Sequence, residues 1–309
     1  MFENGINLDS MFHVPVFHRL EEYAGVWAME PSAAAVFAAS VRGINLASHI
    51  AEANERIRAN GGRAVKPNKA GQPLNPMAGP APSLTEPITV KGGKDIAMIR
   101  AVGTLMKQES SMGGTSTIQL RKEIRSAVNN PQVGAILLAI DSPGGTVSGI
   151  ADLASEVKNA TRKKPVYAHI DDLGASAAYW MASQADQIFA GNATAKVGSI
   201  GTFQVVYDYS GAAAAEGIKT LVFATGPLKG LGAMGAPVTD EQQVYLQSMI
   251  NESQTHFDSA VRSGRGMNAT QLAAVRHGGV FPAGEAVEKR LIDGIRSLEK
   301  TIEALAAAR

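Results

Sequence analysis

Apolar residues recur along this chain at two spacings, and their alternation is clearest from residue 95 onward. Ile96-Ala97-Met98-Ile99 and Ala101-Val102 read as a strand closed by Gly103. Gly113-Gly114-Thr115 then precedes a stretch of helical spacing from Ile118 to Val128. Val133 to Ile140 is almost continuously apolar, which is expected of a strand covered on both faces of a parallel sheet. It runs into Asp141-Ser142-Pro143-Gly144-Gly145, followed by a helix over about 147–162 with Ile150, Leu153, Ala154 and Val157 on one side. Pro165 to Ile170 predicts the next strand, Asp171 to Gly174 a turn, Ala175 to Ala185 a helix and Ile188-Phe189-Ala190 another strand. A long helix is expected near 241–263, with Tyr245, Met249, Phe257 and Val261 as its apolar positions. Strand–helix–strand repetition with short connections predicts an α/β fold, a parallel sheet with right-handed helical crossovers.

The first part of the chain is different. Residues 1–60 read as a helical N-terminal region, on the strength of Ala33 to Ala39 and of Ile50, Ala51, Ile57 and Ala59 set among charges. Phe12, Phe17, Tyr23 and Trp27 are anchors that must pack on something. This region is either an accessory element packed on its own domain or a neighbour, or a pro-segment removed by self-cleavage. Residues 61–92 carry Gly61-Gly62, Pro67, Pro73, Pro76, Pro80, Pro82 and Pro87, which leaves little room for helix or ladder. They read as a linker, which makes residues 93–309 the main domain.

Composition narrows the chemistry. The 309 residues contain no cysteine, so thiolate nucleophiles, disulfides and cysteine-ligated metals are excluded. A formal net charge of +1 gives no general attraction to nucleic acid. No metal site or cofactor is expected. The first residues lack a continuous apolar stretch, and the longest apolar run is far shorter than the roughly 18 residues that cross a bilayer. The expectation is a soluble, cytoplasmic protein that does not engage a membrane.

In open α/β sheets ligands gather at the carboxyl ends of strands, and two such ends stand out. The Gly144-Gly145 pair lets the backbone approach a ligand and aim N–H groups at developing charge, although a simple turn would use the same residues. In Gly174-Ala175-Ser176-Ala177-Ala178 the small neighbours leave the Ser176 hydroxyl accessible at the start of a helix, where a capping serine is the plain alternative. A serine nucleophile needs an adjacent base. None of the six histidines follows Ser176 closely, and His169 lies inside the preceding strand. A lysine freed of its proton by burial can substitute. Lys229, in Thr225-Gly226-Pro227-Leu228-Lys229-Gly230-Leu231-Gly232, is a candidate, unless it is simply a solvated loop lysine.

From about 95 to 297 the chain resembles the protease IV / signal peptide peptidase A family of serine peptidases. The resemblance rests on Asp141 to Gly145, Gly174-Ala175-Ser176-Ala177-Ala178-Tyr179-Trp180, Ala185 to Ala190, Val197-Gly198-Ser199-Ile200-Gly201, Lys229, and Val280 to Ala286 followed by Leu291-Ile292-Asp293-Gly294. It implies a Clp-protease/crotonase-like fold, Ser176 as nucleophile and Lys229 as general base. It further implies an amide of Gly144 or Gly145 in the oxyanion hole, and Ser199 orienting the lysine. Ala177-Ala178 departs from the glycines many members carry, which should alter the pocket more than the chemistry. Membrane-bound members begin with an anchor that is not evident here. The N-terminal Trp27-Ala28-Met29-Glu30-Pro31 is instead similar to the soluble lambda-type phage capsid proteases. That resemblance implies cleavage of scaffold, portal or capsid polypeptides within an assembling prohead. It also implies a homo-oligomer in which one subunit's serine can be served by a neighbour's lysine. The competing readings are a housekeeping peptidase, a crotonase-type acyl-CoA enzyme and a non-catalytic capsid assembly module.

Overall fold

The computed structural model describes residues 25–30, 32–34, 83–108 and 114–308. The chain divides into two compact units, one of Met1–Tyr23 with Pro31–Ser83, the other of Ala24–Glu30 with Leu84–Arg309. The first unit lies almost wholly outside the described residues, and with it the helical region and most of the linker expected before residue 92.

The second unit is an α/β structure, as the alternating pattern predicts. Its main sheet is built on β3 (Asp95–Val102), β6 (Val133–Ser142) and β8 (Val166–Ala175), all parallel. The edge next to β3 is β2 (Thr85–Ile88), antiparallel, within the segment where prolines argued against a ladder. Pro87 is compatible with it because an edge strand can dispense with one donor. On the other side β8 serves two neighbours. Its first half pairs with β9 (Gln187–Ala190), its last residues with β10 (Lys196–Gly198), both parallel. β11 (Val280–Pro282) then closes antiparallel on β10, and β12 (Gly294–Ile295) parallel on β9.

The near-continuous apolar run of β6 is explained by cover on both faces. Ile136, Leu138 and Ile140 join the larger core with α1 (Thr117–Asn129) and α2 (Ile150–Thr161), which contribute Leu120, Ile124, Leu153 and Val157. Ala135 and Leu137 face the other way, with Ile96, Met98, Tyr167 and Phe189, against Leu305 of α8 (Leu298–Ala307). Ser116 caps α1 by accepting the Gln119 N–H at 3.3 Å.

A second, smaller sheet stands at the carboxyl ends of these strands. Its order is β1 (Trp27–Met29), β7 (Gly144–Thr146), β4 (Leu105–Met106) and β5 (Thr115–Ser116). Beyond β10 the chain forms little regular structure until a long helix, apart from α4 (Ser210–Ala215). The long helix is α5 (Asp240–Arg265), started by a Thr239–Gln242 capping box and stopped by Gly266 in the left-handed conformation. It buries only Gln242, Phe257 and Val261. Among the described residues no helix is long and apolar enough to cross a membrane.

Candidate active site

Ser176 stands between β8 and α3 (Ala177–Ala182) with φ 54° and ψ −119°. A positive φ is uncommon outside glycine and costs on the order of 1–3 kcal/mol, so surrounding structure must impose it. Here the Ser176 N–H donates to the Gly198 carbonyl at 2.7 Å and its hydroxyl to the Gly201 carbonyl at 3.5 Å. The sequence expectation of an accessible hydroxyl is not met in this conformation, for Ser176 is fully buried. The helix behind it is fixed from both sides. The Tyr179 hydroxyl donates to the Leu291 carbonyl at 2.8 Å, and burial raises its pKa strongly. Trp180 stacks on Phe257 of α5, with ring centroids 4.6 Å apart.

The glycine loop comes next to Ser176 through the parallel pairing of β6 with β8, in which Ser142 lies opposite Gly174. Gly144 has φ 99°, and a Cβ there would strike the Ala28 carbonyl and come within 2.9 Å of Ala175 O and Ala177 N. A Cβ on Gly145 would collide with the Leu105 backbone. Both positions therefore need glycine for close approach of backbones. Ser142, buried and not singled out by the sequence, anchors the loop. Its hydroxyl donates to the Gly103 carbonyl at 2.6 Å and accepts the Gly144 N–H at 3.2 Å. The Gly144 amide is thus engaged, whereas the Gly145 amide faces β1. Ala177 N–H, at the first helical position, has no intrahelical acceptor and also borders Gly144.

Ser199 closes the third side. It follows β10 with φ 52°, is nearly fully buried, and donates its N–H to the Gly279 carbonyl at 2.6 Å. Backbone pairing thus gathers Gly144 and Ser199 beside Ser176, with Gly145 following Gly144 on β7. Lys229 is not part of that gathering within this chain. It lies exposed in the loop before α5, where its N–H donates to the Gly226 carbonyl at 3.1 Å and Gln242 Nε2 holds the Pro227 carbonyl at 2.8 Å. Its surroundings are notably apolar and open, with Leu221, Val222, Phe223, Met234 and Val244 all exposed, Phe223 by 92%.

His169 is not placed to act as a base. It is buried on β8, with Nδ1 3.1 Å from Thr301 Oγ1 of α8, and burial lowers its pKa. Among the described residues no group of three or more His, Asp or Glu could hold a metal ion.

A serine held at a strained strand-to-helix turn, beside a glycine loop and an orphan amide, suits nucleophilic attack on a carbonyl. The comparisons name the class. Residues 158–309 match peptidase family S49, and the chain belongs to that family over this region. The matched region contains Ser176, Ser199 and Lys229, while Gly144 and Gly145 precede it. The chain is 29% identical over 227 residues to the putative protease MJ0651 of Methanocaldococcus jannaschii, covering 71% of this chain and 72% of that one. It is 28% identical to protease 4 of Salmonella typhi, covering 68% of this chain and 34% of that protein. To the capsid assembly protease C of Escherichia phage lambda it is 28% identical, covering 64% of this chain and 46% of that protein. The match thus spans about a third of the length of protease 4 and under half of the lambda protein.

Proposed function

We propose that this protein is a serine endopeptidase in which Ser176 attacks the substrate carbonyl and Lys229 of a neighbouring subunit takes the serine proton. The observation that carries the reading is the conformation of Ser176. The strained φ of this fully buried, non-glycine residue is held by the Gly198 and Gly201 carbonyls, and the same turn sets Ser176 beside Gly144, which borders Ala175 and Ala177 on either side of it. Charge developing on the attacked carbonyl oxygen would be met by the Gly145 and Ala177 amides, since Ser142 already occupies that of Gly144. Ser199, in the loop that grips Ser176, would orient the incoming amine.

Exposed in its loop, Lys229 makes no contact with the buried Ser176 of its own subunit in this conformation. Docking of the apolar segment that carries it onto a second copy would bury it and bring it to a foreign Ser176. The exposed apolar side chains between Val205 and Val244 support such a homo-oligomer. The substrates we propose are polypeptides of an assembling phage head: scaffold, portal or capsid protein. Support for this comes from the lambda relative, whose name is that of a capsid assembly protease, and from the Trp27 to Pro31 motif. Work in the host cytoplasm follows from that role.

The test uses two variants, each expected to be inactive alone. Ser176→Ala lacks the nucleophile, and Lys229→Ala should lose roughly 10²–10⁴-fold in turnover. Mixed oligomers of the two, verified by native mass spectrometry, should recover part of the activity because some interfaces hold one intact pair. Mixed oligomers that stay inactive would place both residues in one subunit, and near-normal turnover of Lys229→Ala would remove lysine from the mechanism.

A further inference from the structure

β1 lies between the two walls of the candidate site. On one side it runs antiparallel to β7, with Trp27 opposite Thr146, Ala28 opposite Gly145 and Met29 opposite Gly144. The ladder continues past both ends, with Glu30 N–H donating to the Pro143 carbonyl at 2.7 Å and Val147 N–H to the Val26 carbonyl at 3.0 Å. On the other side Trp27 and Phe203 exchange both of their backbone hydrogen bonds, at 2.8 and 2.9 Å. Phe203 lies two residues beyond Gly201, at the end of the loop that grips Ser176.

The register decides what this segment does to the site. Bonded and non-bonded pairs alternate in an antiparallel ladder. The bonds at Glu30–Pro143 and Val26–Val147 make Ala28–Gly145 a bonded pair, so the Gly145 N–H is directed at the Ala28 carbonyl. That carbonyl also abuts Gly144, which in turn lies against Ala175 O and Ala177 N on either side of Ser176. Ala28 therefore presents its carbonyl to the Gly145 amide, one of the two that would receive the oxygen of an attacked peptide, and it abuts Gly144 next to Ala177. Any extended peptide docking by strand addition would need the same two rows of backbone groups. The occupant and the substrate exclude one another, and with the occupant in place Ser176 has no exposed surface.

We propose that Val26–Met29 is a built-in occupant of the substrate position, a substrate-like strand that holds the site closed and must leave before a polypeptide can bind. This rests on the peptidase reading and extends it to regulation. It also predicts that the enzyme accepts an extended segment with a small residue at the place of Ala28, where the occupant is completely enclosed. β1 is suited to departure, being only three residues long, with one ladder to β7 and a single bridge to Phe203 on its other side.

The absence of cysteine from the chain allows a direct test. Trp27 and Thr146 form a non-bonded antiparallel pair, with Cα atoms typically about 4.5 Å apart, within disulfide range. In the Trp27→Cys/Thr146→Cys double variant, oxidation should pin the strand in place. Cleavage of a peptide substrate by the oxidised protein should fall by roughly tenfold or more relative to the reduced protein and return on adding dithiothreitol. An oxidised protein as active as the reduced one would mean that the strand is a fixed wall, and failure of the pair to cross-link would mean that it is not paired as described. If neither form cleaves peptides, the peptidase reading is what has failed. The occupancy is then decided by hydrogen exchange in the wild-type chain. The Gly145 and Val147 amides should exchange well before those of Ile136–Ile140, whereas equal protection would overturn the proposal.

Discussion

Replacing Phe223 by Asp should dissolve the assembly and the activity together. The side chain is 92% exposed, Met234 is 83%, Val244 71% and Leu221 62%, so the subunit presents apolar groups with nothing on them. Fully covering a side chain of this size is worth about 1.5–3 kcal/mol. Four of them supply on the order of 6–12 kcal/mol per contact, comparable to the roughly 4–15 kcal/mol cost of association. Such an interface is marginal enough for one residue to matter. Removing the Phe223 contribution and burying a carboxylate instead should cost about 3 kcal/mol or more, which weakens each contact by roughly two orders of magnitude. Sedimentation velocity over a concentration series should show the wild-type oligomer giving way to monomer in the variant. Turnover measured on the same samples should fall in step and recover as concentration rises, because in the proposed arrangement Lys229 reaches its serine only across this contact. The fold should be untouched, since so exposed a ring supports no core. A variant that remains assembled would show that the surface is not the interface, and a fully active monomer would place the whole dyad within one chain.

Two further outcomes follow from the geometry. Gly145→Ala should abolish peptide cleavage and lower stability by about 1–3 kcal/mol, because its Cβ meets the Leu105 backbone rather than a flexible side chain; unchanged urea denaturation and turnover would contradict the packing described. His169 has a pKa lowered by burial, so the unfolded chain binds its proton more readily than the folded one. Its contribution is present above about pH 6.5 and is lost as pH falls. His169→Asn should be less stable at neutral pH yet show a shallower decline in urea stability from pH 7 to 5, and an unaltered slope would remove His169 from the acid response.

What could be read from sequence depended on how local the determining contacts are. β6 was legible because cover on both faces leaves its own residues almost entirely apolar, and α5 because Phe257 and Val261 stand at helical spacing, although Tyr245 and Met249, read with them, are exposed. The end of β8 was not. Asp171, Asp172 and Gly174 look like a turn, yet the strand runs on to Ala175, since Leu173, Gly174 and Ala175 find a new partner in β10. β2 was obscured in the same way, as Pro87 is acceptable only at an edge that the local sequence does not announce.

The candidate site divides along the same line. Ser176 and the two glycines could be singled out because tight turns leave a local mark, but the part each glycine plays is set from a distance. Gly144 loses its amide to Ser142, itself fixed by Gly103, and the Gly145 amide is turned to the position that β1 fills. The strand that fills that position was the least legible element of all. Three residues carry no periodicity, and Trp27 announces only that it must pack somewhere. Its partners, Thr146 and Phe203, are more than a hundred positions away in sequence and belong to the site itself. An N-terminal region that reads as an accessory therefore contributes a strand in direct contact with the glycine loop. If a substrate is to reach Ser176, the first step is the exchange of one strand for another on the same two rows of backbone groups.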